Sequence, residues 1–129
     1  MENVKLTPDQ GLAAVLFFLD SVWKDCKNRF SDGGNELGSF LNQFKTDSAT
    51  PKNWQETYKL TFGKSLSVDD LLNPEKVFTT MVELSSLFVY KFEYKILELV
   101  NLLYSIRYKP DEHKKEYELW QQAVERALK

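Results

Sequence analysis

Leu6-Thr7-Pro8-Asp9-Gln10 returns 66 residues later as Leu72-Asn73-Pro74-Glu75-Lys76, and Trp54-Gln55 returns at the same interval as Trp120-Gln121. Self-similarity at a fixed offset reads as one supersecondary unit used twice, and that reading decides the fold. Between these anchors the agreement is chemical. Leu12, Val15, Leu16, Phe18, Val22, Trp23, Cys26 and Phe30 fall on Phe78, Met81, Val82, Leu84, Phe88, Val89, Phe92 and Ile96. All are apolar, and their recurrence at steps of three and four marks one face of a helix. Glu36-Leu37-Gly38-Ser39-Phe40-Leu41 matches Glu98-Leu99-Val100-Asn101-Leu102-Leu103 at an offset of 62. The slip falls in Ser31-Asp32-Gly33-Gly34-Asn35, where a loop tolerates a change of length. The expected architecture is all-α: a compact helical bundle, a single domain over residues 1–129, with pseudo-repeats at about 6–64 and 72–129.

Local signals agree. Thr7 reads as an N-cap, with Pro8 at the first helical position and Gln10 closing a capping box. This helix is expected to run to about Phe30, and a short one follows from Asn35 to Phe44. Thr50-Pro51 repeats the cap-plus-proline signal and opens a helix that stops near Gly63. Ser67-Val68-Asp69-Asp70 reads as a further cap over one short turn. From Pro74 to Tyr108 there is neither Gly nor Pro, which predicts that the second unit fuses its first two helices into one rod. Within it, Phe88 to Lys91 and on to Lys95 alternates with period two, a strand-like pattern. Phe88, Phe92, Ile96 and Leu99 fall at helical steps instead, and helix is the reading adopted. The last helix is expected from Pro110, carrying Tyr117, Trp120, Val124 and Leu128 inward.

Bulk properties narrow the function classes. An apolar fraction of 43%, with nine Phe and three Trp among 129 residues, supports a buried core and excludes disorder. No window approaches the roughly 18 uncharged apolar residues of a membrane span. Met1-Glu2-Asn3-Val4-Lys5 lacks the basic start and apolar run of a signal peptide, so a cytoplasmic location is expected. The formal charge of −2, from 17 basic and 19 acidic residues, argues against direct nucleic-acid binding. Cys26 is the only cysteine, so no internal disulfide forms, and its place in the apolar stripe suits a small buried hydrophobe.

No reactive set emerges. His113 is the only histidine, too little for a zinc site, and its neighbours Asp111, Glu112 and Glu116 read as a solvated helix face. Gly33-Gly34 lacks the Lys and Ser or Thr of a phosphate loop, and no nucleophile elbow occurs. Glu-x-x-His pairs of a di-iron bundle are missing. The chain is therefore expected to be no enzyme and to hold neither metal nor cofactor. Recognition of a protein partner remains. Three places suit it: the loop from Ser31 to Glu36, the polar loop from Lys45 to Lys52, and the aromatic excess at Tyr90, Phe92 and Tyr94. For Tyr90 and Tyr94, core packing with the hydroxyls reaching solvent is the expected arrangement.

Leu6-Thr7-Pro8-Asp9-Gln10, Phe17-Phe18-Leu19, Glu36-Leu37-Gly38-Ser39-Phe40-Leu41 and Pro51-x-x-Trp54, over about the first 58 residues, together resemble bacterial immunity proteins of contact-dependent growth inhibition and related polymorphic toxin systems. The resemblance implies binding of a cognate toxin domain, with occlusion of its active site or substrate surface. Many such toxins are nucleases with basic substrate sites, which carboxylates on the inhibitor complement. Asp20, Asp25, Asp32 and Glu36 are the first candidates for that face, and Asp69 and Asp70 the second. A regulatory or adaptor module acting through protein–protein contact or self-association is the alternative from another class.

Overall fold

Thr7 caps the first helix as its sequence requires, its side-chain oxygen accepting from Gln10 N–H while the Gln10 side chain accepts from Thr7 N–H at 2.9 Å. The computed structural model describes residues 3–91 and 96–129. In chain order the helices are α1 (Pro8–Cys26), α2 (Asn35–Thr46), α3 (Thr50–Phe62), α4 (Pro74–Lys91), α5 (Leu97–Tyr108) and α6 (Lys114–Leu128), with 3-10 turns at Lys27–Arg29 and Pro110–Glu112. The architecture is all-α, with no strand among the described residues.

α2 folds back along α1, with Trp23 Nε1 donating to the Gly34 carbonyl and Lys45 pairing with Asp20. Gly34 makes that return possible: its φ is +85°, and an added Cβ would lie 2.7 Å from Lys27 Cβ. α3 closes with Gly63 in the left-handed conformation. Partners are then exchanged between halves. α3 packs mainly on α4, whereas α6 lies along α1. α4 and α5 form a hairpin, with Arg107 near Glu75 and Thr79 at one end and Tyr104 against Glu83 further along.

Residues that correspond by offset meet one another. Leu6 and Leu72 exchange two backbone hydrogen bonds of 2.8 and 2.7 Å, an isolated antiparallel bridge tying the entries to α1 and α4. At Gly11, a Cβ would sit 3.2 Å from Val77, so the missing side chain lets α1 and α4 approach closely. Phe30 with Ile96, Glu36 with Glu98, and Leu37 with Leu99 share one small cleft.

The core is aromatic. Trp120 stands edge-on to Phe18 at 5.5 Å and to Phe78 at 5.2 Å, and Phe40, Phe44 and Phe88 form a second cluster with centroids 4.9–6.1 Å apart. Such edge contacts add to the area term. Trp54 and Trp120 are each 2% exposed. Trp54's indole N–H, however, has no acceptor among the described protein groups.

Several expectations need correction. The single rod over 74–108 does not form: Ile96 leaves helical geometry at φ −112°, ψ 27°, and α5 returns beside α4. The chain requires no Gly to break there, because burying α5 against α4 outweighs helix continuation. Residues 86–91 are helical; 92–95, where the strand-like pattern continues with Phe92 and Tyr94, lie outside the described residues. Thr50 is the first helical residue and caps nothing; its hydroxyl donates to the Phe44 carbonyl at 2.6 Å. α1 ends at Cys26, before the expected Phe30. α6 starts at Lys114, after the 3-10 turn, and Leu128 is 41% exposed.

Candidate functional site: an apolar groove beside an acidic corner

α3, α4 and α5 leave a groove of about 680 Å³ between them. Its walls carry Leu60 from α3, Leu87 and Tyr90 from α4, and Leu97 and Tyr104 from α5. These side chains are exposed, Leu60 at 78% and Tyr90 at 82%. Scattered surface leucines need no explanation, but several on one concave face mark an interaction surface. Core packing for Tyr90 is thus overturned. Four-residue steps on α4 place Leu84 and Phe88 inward, and Tyr90, two residues on from Phe88, is turned to solvent. Polar groups punctuate the walls: Thr57, Thr61, Ser86 and Asn101. The Tyr104 hydroxyl donates to Glu83 Oε1 at 3.2 Å. Burial, then the Glu83 charge, pushes that phenol above its usual range, so it remains a neutral donor.

At the start of α5 the surface changes character. Leu97 lines the groove, while Glu98 turns to the loop before α2 and accepts from the Ser31 backbone N–H at 3.1 Å and from the Ser31 hydroxyl. Asp32 and Glu36 line the same small cleft as Glu98. Asp32 accepts from the N–H groups of Gly34 (2.9 Å) and Glu36 (2.8 Å), which holds its carboxyl below the ordinary range. It is thereby ionised and serves as the capping acceptor for α2, whose N-cap position is Gly34. Three carboxylates therefore stand at one corner, directly after an apolar groove.

The six acidic candidates do not form one face. Asp25 is exposed in the last turn of α1, and Asp32 and Glu36 lie beyond that end. Asp20, further back, is engaged with Lys45. Asp69 and Asp70 precede Leu72, which pairs with Leu6 at the opposite end of α1. With 19 residues, that helix is about 28 Å long. Asp70 also accepts the Ser67 N–H at 2.7 Å, closing a turn. Asp32 and Glu36 are thus the pair the fold brings together, and Glu98 is the member sequence reasoning missed. Its signal was present, since Glu98 is Glu36's counterpart in the repeat.

A second correction concerns Glu116, read as part of a solvated face. It is 5% exposed and paired with Arg29, from the 3-10 turn after α1. Burial pushes its carboxyl up, but the Arg29 guanidinium overrides that and holds it below the ordinary value. Arg29 Nη1 also approaches the buried Cys26 Sγ at 3.8 Å, and burial raises that thiol. His113 Nδ1 lies 4.0 Å from Glu116. Among the described residues, no three His, Cys, Asp or Glu side chains converge as a metal ion requires, and no helix is long and apolar enough to cross a membrane. In comparisons with known proteins, no protein family, no curated protein and no solved structure matches the chain.

Proposed function

We propose that the chain acts by binding a protein partner, as an immunity protein that neutralises a bacterial toxin domain by covering its active or substrate surface. One observation carries this reading: exposed Leu60, Leu87, Tyr90 and Leu97 line a groove that adjoins the carboxylates of Asp32, Glu36 and Glu98. Interface energy concentrates in a few apolar or aromatic anchors, while charges at the rim set on-rate and partner choice. An apolar centre with an acidic flank suits a partner whose apolar anchor is surrounded by Lys and Arg. A nuclease domain with a basic substrate cleft has that chemistry.

The test is co-purification with the toxin domain encoded beside this gene, using wild type, Leu97→Asp and Glu36→Gln/Glu98→Gln chains. Leu97 is 55% exposed, so Leu97→Asp leaves folding intact. It is expected to weaken the complex at least tenfold, about 1.4 kcal/mol. The double Gln variant is expected chiefly to slow association and to flatten its salt dependence. Failure of the wild-type pair to associate at micromolar concentration removes the proposal. The uncovered groove also favours a second reading, an adaptor that self-associates. A concentration-dependent dimer in light scattering that Leu97→Asp abolishes would select it.

A further inference from the structure

The groove between α3, α4 and α5 has a counterpart in the other half of the molecule, and the two differ in chemistry. By the repeat offsets of 66 and 62, Leu60, Leu87, Tyr90, Leu97 and Tyr104 correspond to Arg126, Ser21, Lys24, Asn35 and Asn42. That second set is polar throughout. Arg126, Lys24, Asn35 and Asn42 are exposed and Ser21 is half-buried, so the same positions look outward in both halves. The pairing of elements agrees. Leu60 and Glu83 line one groove, and their counterparts Arg126 and Phe17 meet, the guanidinium lying 4.1 Å from the ring centroid. Helix packing is therefore satisfied with polar residues at these places. The exposed leucines and tyrosines of the second half serve something other than the chain's own folding.

Their arrangement narrows the occupant. On α4, Glu83, Leu87 and Tyr90 line the groove at steps of four and three, and on α5 Leu97, Asn101 and Tyr104 do the same. Each row is about 10 Å long, two helical turns. Between two such rows the side-chain ridge of a third helix fits. A small molecule fits poorly. Leu60 and Tyr90 stand 78% and 82% exposed, and walls so open leave a ligand uncovered, whereas ligand pockets bury most of their occupant. The charged side chain on the walls is a carboxylate, Glu83. Glu98, next to Leu97, adds a second, with Asp32 and Glu36 beside it in one cleft. Resting on the protein-binding function of this groove, we propose that its occupant is a single amphipathic helix of the partner. Its apolar residues at i, i+3, i+4 and i+7 lie between the α4 and α5 rows, and its lysines or arginines flank Glu83 and Glu98.

Amide-detected NMR titration of the full chain with synthetic peptides of about 18 residues, long enough to form a helix, tests the assignment. The probe carries Leu at i, i+3, i+4 and i+7 and Lys elsewhere. One control has the same residues scrambled out of helical period, and a second has Glu in place of every Lys. With the probe, saturable shifts of the Leu87, Tyr90, Leu97 and Asn101 amides are expected, at a Kd of about 0.1 mM. Ser21, Lys24 and Asn42 should stay still. Both controls should bind at least tenfold more weakly. So should the probe to Leu60→Arg/Leu97→Asn, which installs residues the fold already carries at the corresponding places. Absence of saturable shifts below about 5 mM, shifts centred outside the groove, or equal binding of either control overturns the proposal. These wild-type comparisons do not depend on any variant folding. Groove shifts that follow protein concentration without peptide would put a second copy there and overturn it too. A chain that co-purifies with the toxin domain while its groove ignores the probe would refute the helix and leave toxin binding standing.

Discussion

Replacing Arg29 by methionine removes the cation from a carboxylate that is almost wholly buried. Glu116's side chain is 6% exposed, and without Arg29 it faces His113 Nδ1 at 4.0 Å. Breaking a fully buried ion pair by deleting one partner costs roughly 3–5 kcal/mol. Arg29's side chain is 54% exposed, so solvent already screens the pair, and the expected loss falls to about 2 kcal/mol. Glu116→Gln strands a cation instead, but Arg29 is able to turn to water, and about 1 kcal/mol is expected. The double variant Arg29→Met/Glu116→Met should recover most of the loss, because an apolar pair of similar volume avoids desolvation. The pH dependence separates this account from simple packing. In the wild type, Glu116's carboxyl is held below its unfolded value. Its contribution is therefore present above the unfolded pKa and is lost as pH falls through the folded one. In Arg29→Met, burial, the largest single influence, is opposed only by Glu116's backbone hydrogen bond and by His113, so the carboxyl moves up from its wild-type position. The stranded charge then destabilises at neutral pH, and acid relieves it. Urea melts at intervals between neutral pH and the carboxylate range should show the wild type weakening on acidification while the gap to Arg29→Met narrows. A loss below about 0.5 kcal/mol at neutral pH, or a gap that widens in acid, would refute the reasoning.

Phe18→Ala empties a site between Phe78 and Trp120 where the ring is fully buried. Calorimetry should record a loss of roughly 3–5 kcal/mol, a large fraction of a small domain's stability. Gly34→Ala forces a Cβ to 2.7 Å from Lys27 Cβ at a positive φ. It should cost more than the roughly 1 kcal/mol of left-handed strain alone, read as a lower urea midpoint. Asp32→Ala removes the acceptor for Gly34 and Glu36 N–H. Because Asp32's carboxyl is held low in the folded state, its contribution is present above the unfolded pKa and lost in acid. The variant's melting temperature should therefore lie below the wild type's at neutral pH and converge with it in acid.

The helical architecture was legible because caps and apolar stripes are local. Thr7 with Pro8 and Gln10 starts α1, Asn73 Oδ1 accepts the Lys76 N–H at the start of α4, and Gly63 ends α3 as its residue type dictates. What failed was nonlocal. The sequence between α4 and α5 holds no Gly or Pro, and the return of α5 is decided by its apolar face meeting α4. Glu116 lies four residues before Trp120 on the inward stripe, and that position could have flagged it as buried. Its partner Arg29, 87 residues away, could not be read without the fold. The groove was illegible for the same reason. Leu60, Leu87 and Leu97 have the residue type of a core, and only the spacing of three helices leaves them uncovered. Asp69 and Asp70 were grouped with the other acids by charge alone, and the Leu6–Leu72 bridge places them at the far end.

The exchanged packing has a consequence for how the chain reaches this state. Since α3 rests on α4 and α6 on α1, neither half contains a finished hydrophobic interior. A fragment ending near residue 66 would hold α1 with its longest apolar stripe unclothed, because α6 lies beyond it in the chain. Folding is therefore expected to be all-or-none in character, and the loop Gly63–Leu71 is where the polypeptide tolerates scission. Two separately produced halves, each disordered or sticky alone, should reconstitute the bundle on mixing, because its largest interface, α1 with α6, and the α3–α4 contact both join one half to the other.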